Sequence, residues 1–139
     1  MDAGFHILEH PSDLGIEATG ADLIEAFRQA AFGLISIVVD PTTIGSAVQR
    51  EIALEGSDVE NLLVQWLSEI LYLYDGEHYL VSGIEILELS STRLKARVTG
   101  EFIQEQKHRL RIDVKAVTYH QLSVRQEPNG STVRVFLDI

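Results

Sequence analysis

Apolar and polar positions along this chain repeat with two periods. Over residues 21 to 35, "ADLIEAFRQAAFGLI", Leu23, Phe27, Ala30 and Leu34 fall at helical spacing, and Ile24 and Ala31 widen the stripe. Asp22 followed by Glu25 resembles a capping box at its start. Over 57 to 74, "SDVENLLVQWLSEILYLY", Val59, Leu62, Leu63, Trp66, Leu67 and Ile70 form the apolar face of a second helix. Ser57 is the expected cap, with Glu60 completing an S-x-x-E box. Residues 37 to 47 predict a loop, because "DPTTIGS" supplies turn chemistry.

The remaining segments alternate with period two and predict strands. Residues 5 to 9 and 14 to 19 form two short ones, broken by "HPSD", and 49 to 54 a third. "YLVSGIEILEL" carries Ile84 and Ile86 on one face. "RLKARVTGEF" opposes Leu94, Ala96 and Val98 to Lys95 and Arg97. "RIDVKAVTYHQLSVRQ" predicts a long strand with a bend near Thr118. Asn129-Gly130 is a strong hairpin signal joining it to the last strand, "STVRVFLDI". There Val133, Val135, Leu137 and Ile139 share one face, and Thr132, Arg134, Phe136 and Asp138 the other. The expected fold is α+β: a two-layer sandwich of two main helices on a mostly antiparallel sheet, in a single domain spanning 1–139. No repeat, low-complexity stretch or linker interrupts it.

Composition narrows the function. The chain has 139 residues, 45% of them hydrophobic, enough for one packed core. Its formal charge of −10 argues against a groove wrapping nucleic acid, since phosphate binding is driven by Lys and Arg. The same charge suits a metal site, a basic partner, or simple solubility. With no cysteine, disulfides and thiolate zinc sites are excluded. The start, "MDAGFHILEH", lacks the pattern of a signal peptide, and no apolar run approaches a membrane span of ~18 residues. A soluble cytoplasmic protein is expected, without membrane association.

No phosphate-binding loop, dinucleotide fingerprint, H-E-x-x-H or G-x-S-x-G occurs. The five histidines, at 6, 10, 78, 108 and 120, do not pair at helical spacing. Two places stand out. Asp13 sits in a polar break between two strands, where a Pro-Ser-Asp turn explains it without function. At the other end, the Asp138 carboxylate and the α-carboxylate of Ile139 lie on consecutive residues. Such groups repel unless a positive charge lies between them, and hard cations such as Ca²⁺ and Mg²⁺ take carboxylate oxygens. A solvated acidic terminus is the simpler alternative.

Together these features resemble the archease family over nearly the whole chain. The resemblance rests on "HPSDLG", "LIEAFRQAAFGL", "DVENLLVQWLSEILYLYD", Gly100-Glu101, His108, "KAVTYHQLSV" and the closing "VRVFLDI", in that order. The family's usual H-T-A-D is His10-Pro11-Ser12-Asp13 here, so the acid is kept while Pro11 alters the loop. The resemblance implies an accessory protein that assists an RtcB-type RNA ligase in tRNA splicing or RNA repair, promoting its guanylylation and turnover, with RNA met only indirectly. It also implies a divalent cation, taken in the family to be calcium, with Mg²⁺ or Mn²⁺ as alternatives. Its ligands would be Asp13, Asp138 and the terminal carboxylate of Ile139, which would account for a strand running to the last residue. Two other functions stay open: a chaperone-like modulator of a tRNA-modifying enzyme such as a methyltransferase, and a metal-dependent hydrolase. No nucleophile–base pair can be named for the last. Lys115, Thr118, Tyr119 and His120 stand in a specific motif and either contact a partner or a phosphate, or fix a strand bend.

Overall fold

A computed structural model describes residues 1–139. In chain order the elements are β1 (Gly4–Glu9), β2 (Asp13–Gly20), α1 (Leu23–Val38), a 3₁₀ turn (Pro41–Thr43), β3 (Val48–Glu55), α2 (Val59–Glu77), β4 (Tyr79–Leu89), β5 (Arg93–Phe102), β6 (Ala116–Glu127) and β7 (Gly130–Asp138). All strand pairs are antiparallel, as expected for the α+β class. The strands divide into two sheets, ordered β1-β2-β7-β6 and β3-β5-β4. Both helices touch both sheets: α1 lies on β1, β2, β7 and β4, and α2 on β6, β3, β4 and β5. One continuous cluster of 31 buried residues results. Trp66 of α2 lies fully buried, and its indole N–H donates to the Phe27 carbonyl of α1 at 2.9 Å.

The helices depart from their predicted bounds for identifiable reasons. Asp22 caps α1, its side chain accepting from Glu25 N–H. Ile24, expected on the apolar stripe, is exposed, and Gly33 and Ile35 are buried instead. The helix continues past 35 to Val38, into the predicted loop. Its last turn holds no basic residue, yet its end carbonyls are satisfied from a distant segment. Arg111 N–H donates to Val38 O at 2.7 Å, Ile112 N–H to Ile37 O at 3.1 Å, and the Arg111 guanidinium to Ser36 O at 3.0 Å.

The cap of α2 is Asp58, not Ser57: the Asp58 side chain accepts from Asn61 N–H at 2.8 Å. Two adjacent cap-forming residues compete there, and Asp58 takes the extended backbone that a cap requires. The helix runs to Glu77 and stops at His78, a left-handed residue with φ 56° whose N–H returns to the Leu73 and Tyr74 carbonyls.

The long strand predicted from residue 111 starts only at Ala116, because 109–112 is committed to the end of α1. The expected bend is present. Thr118 pairs with Phe136 and Ser123 with Arg134, so four residues of β6 stand opposite Val135 alone. Gln121 takes φ 50° to complete the excursion. The Thr118 hydroxyl holds it, donating to Phe136 O at 3.0 Å and accepting from His120 N–H at 3.2 Å. The hairpin expected at Asn129-Gly130 is present but turns one residue earlier: Glu127 pairs with Gly130 across Pro128-Asn129, and Gly130 already belongs to β7.

Candidate functional site

Asp13 opens β2 and Asp138 closes β7, and antiparallel pairing places them directly opposite each other. Leu14, Ile16 and Ala18 point into the core, so Asp13 and Asp138 occupy the outer face at one end of the sheet. Side chains so placed stand ~5 Å apart at Cβ, and like charges in that position destabilise a sheet. Farther along the same face the equivalent position is neutralised, since Glu17 takes two bonds from the Arg134 guanidinium at 2.6 and 3.0 Å. No Lys or Arg pairs with Asp13 or Asp138. His10 lies beside Asp13, its Nδ1 3.4 Å from Oδ1. The His10 N–H also closes the turn onto Asp13 O at 3.3 Å. Asp13 Oδ1 is buried and receives no hydrogen bond.

Strand alternation predicts Ile139 on the buried face of the last strand. It lies instead just beyond β7, 37% exposed, so its side chain contributes little packing. Its α-carboxylate follows directly on Asp138, whose carbonyl accepts from Lys115 N–H at 2.8 Å. Motifs from three parts of the chain therefore meet at this corner. Phe136 is their hub: its ring lies against Gly15, with His10 at 5.0 Å and His120 at 5.8 Å between centroids.

Asp13 and Asp138 are thus brought together, with one Asp13 oxygen buried without a hydrogen bond and no Lys or Arg paired with either acid. That donor chemistry fits a divalent ion. No three His, Cys, Asp or Glu side chains converge as a ready metal cluster.

The remaining motif residues fall elsewhere. Tyr119, 58% exposed, accepts from the Asn61 amide of α2 at 2.5 Å. Glu101 and His108, noted in the sequence without a role, form a second, buried polar cluster. Glu101 accepts from Lys107 Nζ at 2.7 and 2.9 Å and from Gly45 N–H. The Lys107 ammonium first, and the Gly45 N–H next, hold its carboxyl down at about 2. His108 accepts from Gln104 N–H through Nδ1 at 2.8 Å, which leaves the proton on Nε2. That atom sits 3.2 Å from Glu101 Oε2 but off the line of a well-formed hydrogen bond. Gly100 precedes them because a Cβ there would collide with the Leu80 carbonyl oxygen. This cluster pins the 103–115 segment to the loop after α1. Its signal in the sequence was only a glycine, an acid and a histidine spaced apart, without a periodic pattern to join them.

A family model described as the archease protein family (MTH1598/TM1083) matches residues 5–139. The protein archease of Sulfolobus acidocaldarius is 35% identical over 136 residues, covering 97% of this chain and 98% of that one. That of Methanosarcina mazei is 31% identical over 139 residues, covering 97% and 95%. The solution structure of Methanobacterium thermoautotrophicum protein 1598 superposes with a TM-score of 0.81 at 30% identity, over 98% of this chain and 99% of that one. The crystal structure of a Thermotoga maritima archease, described as a possible chaperone, shares the fold alone, with a TM-score of 0.60 at 16% identity over 95% and 94%. The chain belongs to the archease family.

Proposed function

We propose that this protein is a metal-binding accessory factor that activates an RtcB-type RNA ligase and has no turnover of its own. Family membership supports the accessory role. The observation that carries the metal part is the pairing of Asp13 with Asp138, acids from opposite ends of the chain, together with the buried Asp13 oxygen that receives no hydrogen bond. Asp13, Asp138 and the Ile139 carboxylate would hold the ion, an oxygen-only set suited to Ca²⁺, with Mg²⁺ or Mn²⁺ as alternatives. When bound, the ion supplies positive charge that relieves the repulsion between these acids. The chain's own residues orient it: Phe136 and Gly15 set the height of the outer face, Lys115 N–H fixes the Asp138 backbone, and the His10 turn fixes Asp13.

The test is RNA ligation by the cognate ligase at sub-stoichiometric concentration. With this protein the ligase is expected to turn over many times, and without it to stall after roughly one round. Equal yields would overturn the reading. Hydrolysis of GTP or joining of RNA by this chain alone, lost in Asp13→Ala, would replace it with a metal-dependent enzyme. A chaperone-like role on a tRNA-modifying enzyme is the second reading, favoured by the description of the Thermotoga relative as a possible chaperone. Co-purification of a methyltransferase rather than a ligase would select it.

A further inference from the structure

The chain carries 11 Lys and Arg against 21 acids. Nine of the 11 lie within 3.9 Å of a carboxylate oxygen. The two without such a partner, Arg109 and Lys115, stand on the same exposed segment, between the buried Glu101 cluster and the start of β6. Asp40 lies toward Arg109, but its ion pair, at 3.8 Å, is with Arg111. Between the two free cations lie Leu110, 48% exposed, and Ile112, 40% exposed. Arg111 is paired, Asp113 is exposed and acidic, and Val114 is buried, so the segment carries three cations against one acid beside two bare aliphatic side chains, the reverse of the chain's overall balance.

The strip is also held in place. Its backbone is tied to the end of α1 by the Arg111 and Ile112 N–H groups and by the Asp40 N–H bond to Arg109 O at 2.9 Å. Lys107 and His108 anchor one end, and Lys115 N–H on Asp138 O the other. Because the Arg111 and Ile112 donors already have partners, those residues cannot add a strand by backbone pairing. What the segment offers is side chains on a preordered backbone, which lowers the ordering cost of binding.

We infer that residues 109–115 form a docking strip for an acidic, aliphatic-rich segment of a partner protein. Charge complementarity chooses the occupant: carboxylates would pair with Arg109 and Lys115, and aliphatic side chains would cover Leu110 and Ile112. RNA is disfavoured on two grounds. Single strands bind through aromatic stacking platforms, and the apolar residues here are aliphatic. Two free cations also offer few phosphate contacts on a surface of net negative charge. The inference rests on the accessory-protein reading only for the partner's identity.

The test maps binding on the isotopically labelled full chain by amide chemical shifts. The probes are a short capped peptide with Glu and Leu alternating, the same peptide with Lys for Glu, and an oligoribonucleotide. The acidic peptide is expected to shift resonances clustered at 109–115, and to bind more weakly as salt screens the charges. Arg109→Glu combined with Ile112→Ser should weaken it at least about tenfold, and Arg109→Glu alone by less. Both residues are exposed, so an unchanged melting temperature checks that the fold survives. No clustered shifts, or shifts elsewhere, would overturn the proposal. So would stronger shifts with the oligoribonucleotide, which would assign the strip to phosphate. Concentration-dependent shifts of 109–115 without any probe would assign it to a second copy. A peptide that binds at the strip, in a protein that fails to stimulate the ligase, would leave the docking strip standing and remove the ligase from the account.

Discussion

Phe136 lies so close over Gly15 that a Cβ on the glycine would stand 2.8 Å from its ring carbon Cε1 and 3.1 Å from Cζ. The two residues are cross-strand partners on the outer face, next to the Asp13–Asp138 pair. Phe136 is only 2% exposed although it faces away from the helices, because Gly15, His10 and His120 enclose it. Gly15→Ala should therefore force the ring outward. Overpacking of this kind costs about 1–3 kcal/mol. The check is a lowered melting temperature together with shifted imidazole resonances of His10 and His120. An unchanged melting temperature would mean that the ring moves freely and positions nothing.

Removing one acid of the facing pair should act in opposite directions with and without cation. In chelated buffer, Asp138→Asn relieves a like-charge contact and should leave stability unchanged or raise it by up to about 1 kcal/mol. With calcium at a hundred times its dissociation constant, the native protein should gain about 2.7 kcal/mol, and Asp13→Asn or Asp138→Asn should lose most of that gain. Thermal melts with and without calcium, backed by calorimetric titration, decide it. Equal affinity in native protein and both variants would rule out a shared site.

Extension past Ile139 isolates the terminal carboxylate. A peptide bond there exchanges a charged carboxylate for a neutral carbonyl, still an oxygen donor but a weaker one. Because the Ile139 side chain is already partly exposed, the extension should cost little stability while weakening metal binding. An N-terminal extension is the control. If both tagged proteins bind calcium and stimulate the ligase alike, Ile139 is not a ligand.

The Glu101 cluster makes a pH prediction of definite sign. Its carboxyl titrates at about 2 in the fold against an ordinary 4.5. Between those values the unfolded chain binds a proton that the folded chain does not, so stability falls as pH falls through this window. Glu101→Gln removes that contribution. An amide is neutral and carries a donor NH2 where the second carboxylate oxygen accepts from Lys107 and Gln104, so the charge pairing with Lys107 is lost and donors meet donors there. The variant should be less stable at neutral pH and show a flatter acid limb, measured by urea unfolding across the window. A parallel acid limb would show that Glu101 is not the titrating group.

The two capping candidates of α2 separate cleanly. Asp58→Ala should cost about 1 kcal/mol, and Ser57→Ala no more than about 0.5 kcal/mol. The reverse order in chemical denaturation would restore Ser57 as the cap.

The sequence by itself determined whatever depends on near neighbours in the chain. Both helices, the strands, a hairpin at Asn129 (though not its two turn residues) and the bend after Thr118 follow from periodicity and turn chemistry, which act over a few residues. The Asp22 cap was legible for the same reason, whereas Ser57 and Asp58 differ only in the backbone each adopts. The ordered motifs placed Asp13 and Asp138 in one candidate site, but only through resemblance to a family. Tertiary structure decided what crosses the chain. It divided the strands into two sheets, set Asp13 opposite Asp138, and enclosed Phe136 between two histidines. It also carried α1 past its predicted end and shortened β6, through one cause: donors at 111 and 112 satisfy carbonyls at 37 and 38. A helix terminus needs partners for its last carbonyls and takes them from any distance along the chain, which no local pattern of hydrophobic and polar residues records.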